Sequence, residues 1–357
     1  MVLVGWRRTV AKLPNSQVSE PTMPAQPVAE VLPRYTLTVV PDRHLNHVPG
    51  FQAQGVWAEI KKKRRDVALI VSDRPSKGAA VFTQNAFAAA PVLVSREHVE
   101  NGDIRAIVVN AGNANACTGE QGLADARAMA AHAAAALGLS PDQFIVCSTG
   151  IIGRPLPLEK VLAGIDGCAA MLGDAVGGEA AEAITTTDSH PKHVFVEVRV
   201  DSGKGARTFH IAGIAKGAGM IHPNMATMLA FLVTDVPTNS TFLQANLREA
   251  VNATFNMITI DGDQSTNDTC AVIANGAVGG PAIRKGTVEA EAFQAGLQVA
   301  CKALAKHIAG DGEGATSLME VAVEGAATLA DARTVARAVA SSNLVKSALH
   351  GRDPNWG

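Results

Sequence analysis

Lys216-Gly-Ala-Gly-Met-Ile-His-Pro-Asn-Met-Ala-Thr-Met-Leu-Ala-Phe-Leu-Val-Thr-Asp235 joins two unlike pieces of sequence. Its first part is glycine and small residues, the composition of a turn that takes unusual dihedrals or lets another group approach closely. Its second part, Met228–Val233, is a continuous apolar run of strand length. Gly217-Ala-Gly219 is not a dinucleotide fingerprint, because His222 stands where the third glycine belongs. Thr227 sits at the junction of loop and run and, taken alone, reads as a half-buried strand threonine.

Working outward, strand-like and helix-like segments alternate. Val67–Val71, Ala106–Val109 and Phe144–Val146 are short apolar runs, and Val194–Val200 alternates like a half-exposed strand. Glu320–Val323 reads as the start of another strand. Leu123–Leu137 is alanine-rich with helically spaced charges and a stop at Gly138. Leu156–Leu172, Ala292–Ile308 and Ala332–Ser341 also read as helices. The mixture implies an α/β or α+β layered fold. At 357 residues the chain is long enough for about two ordinary domains or one large α/β unit.

Composition removes several classes. Hydrophobic residues make up 47% and charged residues 18%, which excludes a disordered chain. A net charge of −2 and 4% aromatics give neither the basic face nor the stacking platform of a nucleic-acid reader. No apolar stretch approaches the roughly 20 residues of a membrane span. Five dispersed cysteines with no Cys-x-x-Cys spacing read as buried thiols in a reducing compartment, and no metal-ligand cluster is visible. Lys61-Lys-Lys-Arg-Arg65 reads as a solvated turn between strands rather than an anion patch. Asp261-Gly-Asp263 lacks the glycine and closing Glu of a calcium loop and reads as an Asx-rich turn. Residues 1–33, proline-broken and basic before Glu20, look like an appendage with a faint likeness to a transit peptide.

The opening segment resembles the autoprocessing segment of ornithine acetyltransferases, the glutamate N-acetyltransferases of the cyclic arginine pathway. Further stretches resemble the same family, in the same order. They are Ile107–Gly119, Ser148–Pro157, Thr186-Thr-Asp188, Asp261–Thr269, Asp311-Gly-Glu-Gly-Ala-Thr316 and His350–Gly357. Together the likeness covers about residues 50–357. It implies an α/β (α+β) layered sandwich of the ornithine acetyltransferase and DmpA-like N-terminal-nucleophile type. Residues 1–49 would be a poorly matched extension, 50–226 an alpha chain and 227–357 a beta chain.

On that resemblance the precursor cuts itself between Ala226 and Thr227, and Thr227 becomes the nucleophile. Thr149 and Gly150 match the oxyanion hole. Thr186, Lys216, Thr227 and Glu313 match substrate contacts. The implied reaction moves acetyl from N2-acetylornithine to glutamate without metal or organic cofactor, with acetyl-CoA a co-substrate in some members. The implied assembly is a heterotetramer of alpha and beta chains, cytoplasmic or in the mitochondrial matrix, with no nucleic-acid or membrane partner. Family members continue beyond Asn355-Trp-Gly357 with an Asn and a Thr of the substrate site, so the likeness also suggests a missing tail. Three activities stay open at this point: the transferase, an N-terminal-nucleophile aminopeptidase or amidase, and an inactive truncated relative.

Overall fold

A computed structural model describes residues 29–32, 34–174, 177–201, 205–222 and 228–354. Of the 1–33 appendage, residues 1–28 and 33 lie outside the described residues, as do the Ala226–Thr227 pair and the Asn355–Gly357 motif; its residues 29–32 are not a loose appendage but a strand paired antiparallel with residues 35–38.

In chain order the strands are β1 (Ala29–Leu32), β2 (Tyr35–Val39), β3 (Phe51–Val56), β4 (Val67–Ser72), β5 (Lys77–Phe82), β6 (Ala106–Asn113), β7 (Phe144–Ile151), β8 (Lys192–Asp201), β9 (Ala206–Lys216), β10 (Leu229–Thr234) and β11 (Thr269–Ala274). The helices are α1 (Ala90–Val99), α2 (Gly119–Leu137), α3 (Leu158–Ala170), α4 (Glu179–Ala183), α5 (Ser240–Ala253), α6 (Val288–Gly310), α7 (Leu329–Ser341) and α8 (Asn343–Gly351).

Two sheets form. One runs β1-β2-β8-β9-β10-β11-β5 and the other β3-β4-β6-β7. All pairings are antiparallel except β10 with β11 and β6 with β7. Each parallel pair is bridged by a helical crossover, α5 in the first and α2 in the second, as parallel strands require.

The side-chain period of two sorts each strand between layers. In β10, Leu229, Phe231 and Val233 face the other sheet, while Ala230 and Leu232 face α5 and α6. In β4, Ala68 and Ile70 face the first sheet, while Val67, Leu69 and Val71 face α1, α2 and α3. Both strands are thus buried on both sides, which is why they read as unbroken apolar runs. The result is four layers, helix–sheet–sheet–helix, as the layered α/β sandwich expectation required. Truncating a side chain such as Phe231, fully buried between the sheets, would cost about 3–5 kcal/mol.

Helix ends follow local chemistry. Asn239 caps α5 by accepting the Phe242 N–H, and Thr287 caps α6 by accepting that of Ala290. Gly138, at φ +64°, ends α2 in the left-handed conformation that glycine takes most cheaply. Residues 35–39, in the poorly matched extension, supply β2, and Leu37 enters the core.

Some expectations need correction. Glu320–Val323 forms no strand: Glu320 is exposed, and the segment has no ladder partner among the described residues. A short β-branched run such as Glu320-Val-Ala-Val323 is not a strand without a neighbour to bond. Four cysteines are buried, but Cys117 is exposed. The Lys61–Arg65 turn does connect β3 and β4, yet it is not simply solvated. Asp66 staples it by accepting the N–H groups of Ala58, Ile60 and Lys61 at 2.6–2.8 Å. Lys61 Nζ donates to Thr185 O at 3.0 Å, Arg64 to Asp188 O at 3.2 Å, and Arg65 to Glu182 at 2.5 Å. Among the described residues no helix is long and apolar enough to cross a membrane, and no group of acidic, His and Cys side chains is arranged to hold a metal.

Candidate active site

β9 and β10 are antiparallel neighbours in register Lys216↔Leu229, so the loop between them leaves and re-enters the sheet at one place. Its described ends, Gly217–His222 and Met228, are bonded to segments from three other parts of the chain.

The first is the loop before β8. Asp188, 1% exposed, accepts the Gly217 N–H at 2.7 Å and the Thr186 N–H at 2.9 Å. Lys192 Nζ, wholly buried, donates to Asp188 Oδ1 at 2.6 Å and to Asp311 Oδ2 at 2.5 Å. Burial pushes the Asp188 carboxyl up, but Lys216, Lys192 and the Gly217 N–H outweigh it and hold it below its usual range. The second segment follows α6. Asp311 is tied to Lys192 and to the Ser189 N–H, and the Glu313 N–H donates to Ala218 O at 3.0 Å. A Cβ placed on Gly219 would stand 2.8 Å from Glu313 Oε1, so that carboxylate lies directly against the glycine loop.

The third is the approach to β11. The Met228 N–H donates to Asp268 Oδ1 at 3.0 Å, and the Thr269 N–H to Met228 O at 3.2 Å. Asn267 reaches the other sheet: its Nδ2 donates to Ala114 O at 2.6 Å and to Ser148 O at 2.9 Å. Ser148 precedes Thr149 and Gly150 at the end of β7. There Asn110 accepts from Ser148 Oγ at 2.6 Å and donates to Asn113 O at 2.9 Å. Gly150, at φ +133°, packs so tightly on β6 that a Cβ would fall 2.3 Å from the Gly112 carbonyl carbon. Only glycine permits that approach.

The sequence-derived site residues are therefore drawn to one pair of strand ends. Thr149, Gly150, Thr186, Lys216 and Glu313 all sit on segments bonded to the termini of β9 and β10 or to their immediate neighbours. Ala226 and Thr227 lie outside the described residues. Among the described residues, the hydroxyls of Thr149 and Thr186 have no hydrogen-bond partner. The Lys216 ammonium and the Glu313 carboxylate have no ion-pair partner within 4 Å. Most of the groups around them are paired; Asp268 Oδ2, buried with no hydrogen-bond partner among the described residues, is the exception. Lys216 is 4% exposed, not a surface lysine, and burial pulls its pKa down against the opposing charges of Asp188 and Asp268.

Sequence reading gave no role to the supporting residues Asp188, Lys192, Asn267 and Asp268. Asp188, Asn267 and Asp268 stood inside the quoted motifs Thr186–Asp188 and Asp261–Thr269, and Lys192 carried only the signal of an opposite charge four positions from Asp188. Asp261 does make the expected Asx turn, accepting the Asp263 N–H at 3.1 Å, and it also accepts those of Met220 and Ile221. A cavity of about 600 Å³ opens elsewhere, beside Trp57 and the Lys62–Arg65 turn. Glu179 and Glu182 share its wall, and it contains none of the candidate residues.

Comparison with known proteins covers most of the chain. The ArgJ family profile matches residues 52–357. The arginine biosynthesis bifunctional protein ArgJ of Symbiobacterium thermophilum is 52% identical over 311 residues, 86% of this chain and 76% of that protein. The protein of the same name from Geobacter sulfurreducens is 50% identical over 312 residues, 87% of this chain and 78% of that one. Among solved structures, the ornithine acetyltransferase of Mycobacterium tuberculosis complexed with ornithine shares 38% identity. It covers 52% of this chain and 98% of its own, with a TM-score of 0.46. The chain belongs to the ArgJ family, whose similar members are named for arginine biosynthesis.

Proposed function

We propose that this chain is an acetyltransferase of arginine biosynthesis that moves acetyl from N2-acetylornithine to L-glutamate through Thr227, after cutting itself before that residue. One observation carries the reading. Five residues far apart in sequence are tied to the two strand ends that flank positions 226 and 227, and four present functional groups with no partner among the described residues.

The chemistry follows from what each group can do. In processing, the Thr227 hydroxyl oxygen attacks the Ala226 carbonyl carbon. The C–N bond breaks, its nitrogen gains the hydroxyl proton, and the peptide becomes an ester. Water then cleaves the ester to a carboxylate on Ala226 and restores the hydroxyl. The freed α-amine has an intrinsic pKa of about 7.7–8.0, so it can take the hydroxyl proton near neutral pH. In turnover the same oxygen attacks the acetyl carbonyl, and ornithine leaves carrying the proton. The amine of glutamate then attacks the acetyl-threonine ester, giving N-acetylglutamate and free Thr227.

Thr149 Oγ1 and the Gly150 N–H are suited to the negative oxygen that develops in each half, where one such donor is worth about 2.7–4 kcal/mol. Lys216 disfavours the protonated amine nearby and keeps more of it in the free-base form that can take the hydroxyl proton. Glu313 pairs with the side-chain ammonium of ornithine. Thr186 offers a hydroxyl to the substrate. No step calls on a metal or organic cofactor; acetyl-CoA would be an alternative donor.

Intact mass and N-terminal sequencing of the purified protein test the processing step. The expected fragment begins Thr227-Met228-Leu229 and disappears in Thr227→Ala. Acetylornithine should release ornithine only when glutamate is present. Equal release without glutamate would make the protein a hydrolase, and a chain that stays whole would sink the proposal.

A further inference from the structure

The cavity beside the turn between β3 and β4 has no task in the reaction above. It holds about 600 Å³, the size of a small-molecule site. Its frame is rigid. Asp66, wholly buried, fixes the turn through three backbone N–H groups. The Arg65 guanidinium is held between Gly55 O at 3.0 Å and Glu182 at 2.5 Å. α4 presses on β3 so closely that a Cβ on Gly55 would fall 2.2 Å from Glu179 O. The Glu179 carboxylate accepts the Gly177 N–H at 2.9 Å.

Three groups are not spent on that frame. Trp57 is 53% exposed, yet its ring is pinned, because the indole N–H donates to Lys61 O at 2.9 Å. A tryptophan fixed with its ring open to water is a ledge for another flat ring. The side chains of Lys62 and Lys63 are exposed and make no hydrogen bond or ion pair among the described residues. The wall carries four cations, Lys62 to Arg65, against Glu179 and Glu182, and Glu182 is already paired. The charge selects an anion and the ledge a planar ring. Away from the turn the walls are acidic or apolar, so no basic track continues for a longer polyanion.

The same turn grips the substrate loop. Arg64 sits at φ +76°, which residues other than glycine rarely take, and its guanidinium donates to Asp188 O at 3.2 Å. Lys61 Nζ donates to Thr185 O at 3.0 Å. Thr186 therefore lies between two carbonyls that the turn holds. We propose that the cavity binds a purine nucleoside diphosphate, its base on Trp57 and its phosphates on Lys62, Lys63 and Arg64, and that binding draws Arg64 off Asp188 O and loosens the Thr186 loop. Occupancy then weakens acetylornithine binding, and acetylornithine weakens nucleotide binding by the same factor. The site stands on the geometry of the cavity; its effect on turnover rests on the acetyltransferase reading.

Calorimetric titration of the full chain with ADP, adenosine and inorganic pyrophosphate tests the site. ADP should bind more tightly than either fragment. Trp57→Ala should weaken ADP by at least about 5-fold, the lower end of what stacking one base contributes, and leave pyrophosphate unchanged. Trp57→Phe keeps a ring and should retain most of the affinity. Lys62→Gln with Lys63→Gln, both at exposed positions, should weaken ADP and pyrophosphate and flatten the salt dependence of both. Hydrogen exchange reads the link to the loop without calling on activity. ADP should speed exchange of the amides from Thr185 to Ser189, and in Arg64→Ala exchange should already be fast and indifferent to ADP. KM for acetylornithine should rise about 5-fold or more at saturating ADP with kcat unchanged.

Absence of ADP binding, or binding indifferent to Trp57 and to both lysines, overturns the site. Binding through these residues with unchanged exchange overturns the link to Thr186. A chain that binds ADP and loosens the loop as described, but transfers no acetyl, upholds this inference and sinks the acetyltransferase reading instead.

Discussion

Lys192 Nζ donates to Asp311 Oδ2 at 2.5 Å across 119 residues of sequence, with its side chain wholly buried. Through that ammonium the loop carrying Thr186 and the loop carrying Glu313 become one rigid piece, because the same nitrogen also holds Asp188. Lys192→Met would leave two carboxylates facing each other in the interior. Breaking a buried ion pair on one side costs about 3–5 kcal/mol, and urea unfolding should show a loss of that order. The double variant Lys192→Met, Asp188→Asn should recover part of it, since one of the stranded charges is then gone.

Thr149→Val keeps shape and burial and removes only the hydroxyl. Steady-state kinetics should show kcat reduced by about 10²–10³ with an unchanged melting temperature. Gly150→Ala should behave differently. Its Cβ would fall 2.3 Å from the Gly112 carbonyl carbon, so β6 and β7 must part and stability should drop along with kcat.

Glu313→Gln removes a charge that is exposed and makes no ion pair within 4 Å among the described residues. Folding should be unaffected. If Glu313 meets the ornithine ammonium, KM for acetylornithine should rise by the worth of a charged hydrogen bond, about 1.5–3 kcal/mol. KM for glutamate should change far less. Equal effects on both substrates would remove Glu313 from the ornithine end.

Acid should destabilise the protein through His307 before it reaches the carboxylates. Burial, reinforced by His190, His193 and Lys192, lowers the His307 pKa to about 4. Its folded pKa lies below the unfolded value of 6.5. The folded state therefore binds fewer protons between the two, and stability present above pH 6.5 is lost as pH falls toward 4. A shift of that size is worth on the order of 3 kcal/mol. Denaturant titrations between pH 7 and 4 should show the decline, and His307→Leu should flatten it. Asp188, held below its usual range, adds a further loss only at lower pH.

β4 and β10, buried on both faces, announced themselves as unbroken apolar runs and β8 by its alternation, whereas β11, buried throughout, did not stand out. β9 did not, because Thr208, His210 and Gly213 break its pattern, although it is the longest strand and the direct neighbour of β10. The site divided along a similar line. Glycine and threonine motifs exposed the residues with unspent functional groups. The acids and amides that fix them, Asp188, Asn267 and Asp268, act largely through bonds to backbone atoms, which for Asn267 and Ser148 span 119 residues of sequence. Such bonds impose no spacing on the sequence. Lys61 shows the same limit: within a run of five basic residues nothing distinguishes the one whose ammonium turns inward to two carbonyls.

In the seven-stranded sheet, β10 and β11 lie between β9 on one side and β5 on the other. Both flanking strands precede position 226 in the chain, and both inner strands follow it. Scission there would give two polypeptides braced like a tongue in a groove, separable only by unzipping two antiparallel ladders at once. Maturation would then be a one-way ratchet. The precursor folds as a single chain, whereas the nicked product, once unfolded, must find its other half by diffusion, and its recovery would depend on concentration.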